Sequence, residues 1–299
     1  MKIPAYLKKG DLVSLVCTAR KFTSEDAIPA KELLESWGLR VRLGATIDLD
    51  SCQLAGTDAE RIADFQQQMD DPEVKAIWCC RGGYGTVRII DGLDFTAFQK
   101  NPKWVIGFSD VTVLHSHLNT LRVASMHAIM PFTVPNAPDA VKESLRQSLF
   151  GEQIAYSYES KGYDVVGQAE GELVGGNLSI LYSLLGSPSA IDTKDKVLFI
   201  EDLDEYLYHL DRMMYNLKRN GYFKSLKGLV VGGMTKMHDN EIPFGQNAVG
   251  IIKSIAAEYN IPICFDFPAG HVSDNRTLIF GKRVHLNIAK DLVTLEYKN

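Results

Sequence analysis

The chain has 299 residues, 45% hydrophobic and 23% charged, with 32 basic against 37 acidic side chains and a formal net charge of −5. This composition excludes a disordered, collagen-like or coiled-coil protein. The acidic balance argues against a nucleic-acid partner, whose phosphates require clustered cations.

The first eleven residues contain no continuous apolar core of a secretory signal, and no later run approaches a membrane span, so a cytoplasmic protein with no membrane partner is expected. Residues 12–17 read as a strand. A helix is predicted over 25–37, with Ser24 as N-cap and Gly38 just past its end. Residues 39–43 alternate apolar and basic, as a half-buried strand does. Thr57 and Glu60 form a capping box that opens a helix through Met69. Strands at 74–80 and 104–108, a helix at 111–121 and a strand at 123–126 complete an alternating pattern. Such alternation predicts βαβ units and a mostly parallel, Rossmann-like sheet.

Pro131, Pro135 and Pro138 then punctuate the chain, and a helix is expected over 139–150. The organisation expected is an N-terminal α/β domain over 1–135, a linker over 136–166 and a smaller, β-rich α+β domain over 167–299. In the second half, residues 178–185 read as an apolar helix, 196–200 as a strand and 207–217 as a helix closed by Gly221. A strand at 228–232, a helix at 247–259 and a strand at 263–267 follow. Closing strands, antiparallel in expectation, occupy 277–280, 284–288 and 292–297. The five cysteines (Cys17, Cys52, Cys79, Cys80 and Cys264) make no CxxC pair, which predicts reduced thiols rather than a disulfide frame or zinc site.

Sites of open α/β sheets gather at the carboxyl ends of strands, and four such ends carry polar residues. Gly107-Phe108-Ser109-Asp110 is a strand-to-helix turn that suits a nucleophile elbow, although Val111 replaces its second glycine and Ser109 also suits a simple N-cap. Arg81-Gly82-Gly83-Tyr84-Gly85 can present backbone N–H groups to an anion or form a plain turn. Glu201 follows a buried strand, where it could orient a histidine, open a solvated acidic helix or, with Asp202 and Asp204, hold a divalent metal. His271 lies in a glycine-flanked loop. The other histidines (His115, His117, His127, His209, His238 and His285) suit structural roles.

Together Ser109, Glu201 and His271 supply a nucleophile, an orienting acid and a base in a cleft between the halves. The N–H groups of Gly83 and Asp110 are the candidate oxyanion donors. Arg81 and Asn177 are candidates for a substrate carboxylate. The competing class is a non-catalytic two-domain binding protein that holds an anion on the Gly82-Gly83 loop.

The segments Arg81–Gly85, Ile106–Asp110, Gly175-Gly176-Asn177-Leu178, Phe199–Asp202 and Ala269-Gly270-His271 resemble those of the LD-carboxypeptidases, which comprise murein tetrapeptide carboxypeptidases and a microcin self-immunity branch. The resemblance spans almost the whole chain. It implies a metal-free, cofactor-free serine peptidase, usually a homodimer, with Ser109 as nucleophile, Glu201 as acid, His271 as base and Gly83 and Asp110 as oxyanion hole. It further implies release of terminal D-Ala from a murein tetrapeptide in cytoplasmic wall recycling, or cleavage of aminoacyl-nucleotide conjugates in the immunity branch. The short, Trp-free stretch from Gly186 to Asp195 points to the recycling branch.

Overall fold

The computed structural model describes residues 1–298. Strands β1 (Leu12–Val16), β2 (Arg40–Leu43), β3 (Val74–Cys79), β4 (Trp104–Gly107) and β5 (Ser125–His127) alternate with helices α1 (Ile28–Ser36), α2 (Asp58–Asp70), α3 (Thr96–Lys100) and α4 (Thr112–Thr120). These strands are parallel and lie in the order β2-β1-β3-β4-β5. The order reverses between β1 and β3, and a doubly wound sheet offers its crevice outside the strand ends at that point. Thr57 and Glu60 form the expected capping box: the Thr57 N–H donates to Glu60 Oε2 at 2.7 Å and the Glu60 N–H to Thr57 Oγ1 at 3.3 Å. Helix α1 starts later than expected. Ser24 caps nothing; its N–H donates to Asp48 at 2.8 Å, and Pro29 occupies the first turn, where a missing N–H costs no helical bond.

The second half forms α5 (Asp139–Phe150), β6 (Ala155–Glu159), β7 (Gly167–Asn177), α6 (Leu178–Ser183), β8 (Lys196–Leu203), α7 (Leu207–Arg219), β9 (Gly228–Thr235), α8 (Ala248–Ala256), β10 (Ile263–Cys264), β11 (Leu278–Phe280), β12 (Arg283–Ile288) and β13 (Leu292–Tyr297). A second sheet runs β10-β9-β8-β7-β12-β13-β6. Strands β7 to β10 are parallel, and β12, β13 and β6 are antiparallel. The fold is thus a two-sheet α/β architecture, mostly parallel in its first part and mixed in its second.

Three features differ from expectation. Residues 136–166, expected as a linker that includes a helix over 139–150, hold that helix as α5 and also the unexpected β6, which is fixed by Tyr156, whose hydroxyl donates to the Thr277 carbonyl at 2.5 Å. β8 runs past Ile200 through Leu203, so Glu201 and Asp202 are buried strand residues and not a solvated acidic start. β11 leaves the second half and joins the first sheet antiparallel to β5, pairing Leu278 with His127 and Phe280 with Ser125. One apolar cluster accordingly spans both sheets, bringing Trp78 and Trp104 together with Phe199 and Leu286. Buried Trp78 also donates its indole N–H to the Ile129 carbonyl at 2.7 Å, satisfying its polar edge. No described helix is long and apolar enough to cross a membrane.

Candidate active site

Ser109 follows β4 in a single tight turn before α4. Its φ of 62° is left-handed, a conformation that a non-glycine residue adopts only when its surroundings enforce it. The surroundings are visible. The Gly107 carbonyl accepts from His115 Nε2 at 2.8 Å and from the Ala128 N–H at 3.1 Å, and the Val111 N–H returns to Phe108 O at 3.3 Å. Because that carbonyl needs a donor, His115 carries its proton on Nε2, leaving Nδ1 to accept from Ser125 Oγ at 2.8 Å. Burial, opposed by the Gly107 bond, lowers the His115 pKa to about 4, so this histidine is a neutral tie.

The glycine loop after β3 lies against this turn. A Cβ on Gly82 would sit 3.1 Å from Ser109 Cβ and 3.2 Å from its Oγ, so only glycine leaves the hydroxyl unobstructed. Gly83 (φ +105°) faces Arg20. The loop is anchored by Arg61, a fully buried side chain that donates to Thr18 O at 2.7 Å and Gly85 O at 2.9 Å and pairs with Asp58. Asp110 is buried beside Ser109, and its carboxylate accepts the Thr86 N–H at 2.9 Å. Burial raises the Asp110 pKa against the pull of that bond and of Arg61.

Glu201, on β8, is fully buried and faces His271. Its Oε2 accepts the His271 backbone N–H at 3.0 Å and the ring Nδ1 at 2.7 Å. A carboxylate accepts, so Nδ1 holds the proton and Nε2 is left as a base. Gly270 permits this approach: at φ +99°, its Cβ would lie 2.7 Å from the Glu201 side chain. Burial pulls the His271 pKa down, but the charge and hydrogen bond of Glu201, with the charge of Asp202, outweigh it, and the net shift is upward from 6.5. The Phe108 ring packs on the imidazole at 4.9 Å.

Ser109 and His271 line one cavity of about 560 Å³ together with Gly82, Gly83, Arg20 and Arg81, and with Asp204 and Glu205 on its rim. A second lobe of about 600 Å³ continues past His271. Arg81 lies over the Phe132 ring at 4.2 Å, with a long 3.5 Å bond to Lys21 O. Asn177, expected to touch substrate, stands apart. Its Oδ1 caps α6 by accepting the Ile180 N–H at 3.2 Å, and its Nδ2 donates to Asp202 at 3.0 Å, so both ends are committed to structure. Asp202 is likewise spent on the start of α6, accepting from Ser179 N at 2.9 Å and Ser179 Oγ at 2.6 Å, and burial raises its pKa to about 6. Asp204 and Glu205 bond to His238 at 2.6 Å and His209 at 2.5 Å. Among the described residues no group of three or more His, Cys, Asp and Glu is placed to hold a metal ion. Arg20, Arg61, Lys236 and Asn275 escaped the sequence reading. Arg20 and Lys236 each follow the carboxyl end of a strand, β1 and β9, so the rule that singled out Ser109 also reaches them.

Comparison with known proteins assigns the chain to a family. Residues 13–128 match the LD-carboxypeptidase N-terminal domain and residues 170–286 the LD-carboxypeptidase C-terminal domain. The chain belongs to the LD-carboxypeptidase family. It is a serine-type carboxypeptidase, a hydrolase of peptide bonds. This LD-carboxypeptidase is 36% identical over 304 residues to the probable murein peptide carboxypeptidase of Bacillus subtilis, covering 98% of this chain and 94% of that one. It is 27% identical over 282 residues to the murein tetrapeptide carboxypeptidase of Pseudomonas aeruginosa, covering 90% and 91%. Among solved structures, muramoyltetrapeptide carboxypeptidase from Oxalobacter formigenes superposes with a TM-score of 0.88 at 26% identity, covering 96% of this chain and 99% of that one. The microcin C7 self immunity protein MccF shares the fold, with a TM-score of 0.88 at 20% identity over 99% and 98% of the two chains.

Proposed function

We propose that this enzyme removes the terminal D-alanine of a murein tetrapeptide through an acyl-enzyme on Ser109, with His271 as base and Glu201 as its orienting acid. The relatives named for murein peptides support the substrate class. The observation that carries the chemistry is the 2.7 Å contact from His271 Nδ1 to buried Glu201, with Ser109 held in a left-handed turn that lines the same cavity as His271.

His271 Nε2 takes the Ser109 proton as Oγ attacks the carbonyl before D-alanine. Glu201 holds the tautomer and stabilises the imidazolium. The N–H groups of Gly83 and Asp110 receive the developing oxyanion. The imidazolium returns its proton to the departing amine, D-alanine leaves, and water repeats the cycle to free Ser109. Arg81 binds an anionic group of the peptide, while Asn177 has no part in binding. The same reading makes the enzyme a cytoplasmic homodimer; its five cysteines, all unpaired, suit a reducing compartment.

Mass spectrometry of products from murein peptides of defined length tests this. One D-alanine is expected to be lost from the tetrapeptide, and Ser109→Ala is expected to lower kcat about 10⁶-fold while the peptide still binds. Near-normal turnover by that variant, or release of a different fragment, would sink the reading.

A further inference from the structure

The two lobes on either side of His271 differ in charge. The first, which holds Ser109, carries Arg20 and Arg81 against Asp204 and Glu205, so its formal charges cancel. The second contains no acidic side chain on its wall and one fixed cation, Lys236. Among the described residues Lys236 makes no ion pair, although it is exposed at the end of β9.

A second observation in that lobe is independent of charge. Asn275 is 2% exposed and lines the lobe. Its Oδ1 accepts the Gly270 N–H at 2.8 Å, which fixes the amide orientation and leaves Nδ2 as the other end. That buried Nδ2 has no hydrogen-bond partner. A buried donor without an acceptor is costly, and its natural complement is an oxygen supplied by a ligand.

Position decides which part of a peptide belongs there. In acyl transfer the base that activates the serine later protonates the departing amine, so the leaving group must lie on the imidazole side of the nucleophile. The second lobe touches His271 but not Ser109. Its remaining wall includes Ile129, Ala137 and Val272, apolar surface that suits a methyl side chain.

We infer that the second lobe is the leaving-group site, in which Lys236 and the Asn275 amide hold the free C-terminal carboxylate of the departing residue. This rests on the acyl-enzyme reading above for its direction. It makes Lys236 the residue that distinguishes a peptide with a free carboxyl end from one that continues or is amidated, and it leaves Arg81 to the acyl portion.

Binding by calorimetry to the Ser109→Ala protein, using a D-alanine-terminated tetrapeptide and its C-terminal carboxamide, separates this inference from the reading it rests on. The acid is expected to bind about tenfold to a hundredfold tighter than the amide. Adding Lys236→Met should shrink that preference to within about threefold, while adding Arg81→Met should preserve it. Asn275→Asp keeps the acceptor for Gly270 but replaces the donor by a carboxylate, and should weaken the acid more than the amide. Equal binding of the two peptides, or a preference that survives Lys236→Met and disappears with Arg81→Met, would overturn the assignment. If the preference follows Lys236 but the unaltered enzyme releases no D-alanine, the carboxylate site stands and the peptidase mechanism falls.

Discussion

Beneath the Ser109 turn, His115 is enclosed between Gly107 and Ser125, and its pKa is lowered to about 4. Across the cavity, His271 rests on Glu201 and its pKa is raised. Both rings are largely withdrawn from water, so burial alone does not set their states. The difference lies in the partner: a neutral carbonyl and hydroxyl cannot offset the loss of solvent, whereas a buried carboxylate does. The first half of the site is therefore held by backbone geometry and steric fit, and the second by charge.

The charge side is the more fragile. Glu201→Gln keeps the shape but removes the anion that selects the tautomer, and kcat is expected to fall about 10⁴-fold. A steady-state assay that finds less than a tenfold loss would remove Glu201 from the mechanism. The steric side is probed by Gly82→Ala. The added methyl meets Ser109 at 3.1 Å, so the serine or the loop must shift by a few tenths of an ångström. A loss of up to about 10² in kcat is expected, without comparable loss of stability. Unchanged kcat with an intact fold would show that the close approach is incidental.

The smallest effects are those of pH, and their signs differ for activity and stability. The proposed mechanism needs neutral His271, so kcat should rise with pH through a midpoint above 6.5. Stability from the charged His271–Glu201 pair is fully present below 6.5 and is lost as pH rises through the raised folded pKa. His115 acts oppositely: between about 4 and 6.5 the unfolded chain binds the proton that the folded one refuses, so stability rises with pH in that window. Thermal melts across pH, compared with the same melts for Glu201→Gln, isolate the first contribution; an identical pH dependence in both proteins would discard it.

Elements whose signals are local were readable from sequence. The Thr57–Glu60 box, α5 and the turn carrying Ser109 depend on neighbours a few residues away. Strands that depend on distant partners were not. β6 is a short, polar, aromatic stretch whose inward Tyr156 finds its acceptor at Thr277, and β7 carries Gly171, Gly175 and Gly176, which resemble a loop until β8 packs against them. The three residues of the proposed triad stand out because the sequence pattern sets each at or beyond a predicted strand end, although Glu201 lies within β8. Asn177 carries a polar group that suits a substrate contact in the sequence, and in the fold its side chain bonds to α6 and Asp202. A lone cation after a strand, such as Arg20 or Lys236, looks like ordinary solvated surface in a sequence; only the fold shows that each lines a cavity with His271.

The crossing of β11 into the first sheet has a consequence for how the enzyme comes into being. Leu278 must find His127, about 150 residues earlier in the chain, before that edge exists, and such distant pairings are slow to form because their loops are entropically costly to close. His271 lies only a few residues upstream of this strand. A nascent chain therefore carries Ser109 long before His271 exists, and the two groups of the proposed mechanism meet across one cavity only once this distant pairing is made.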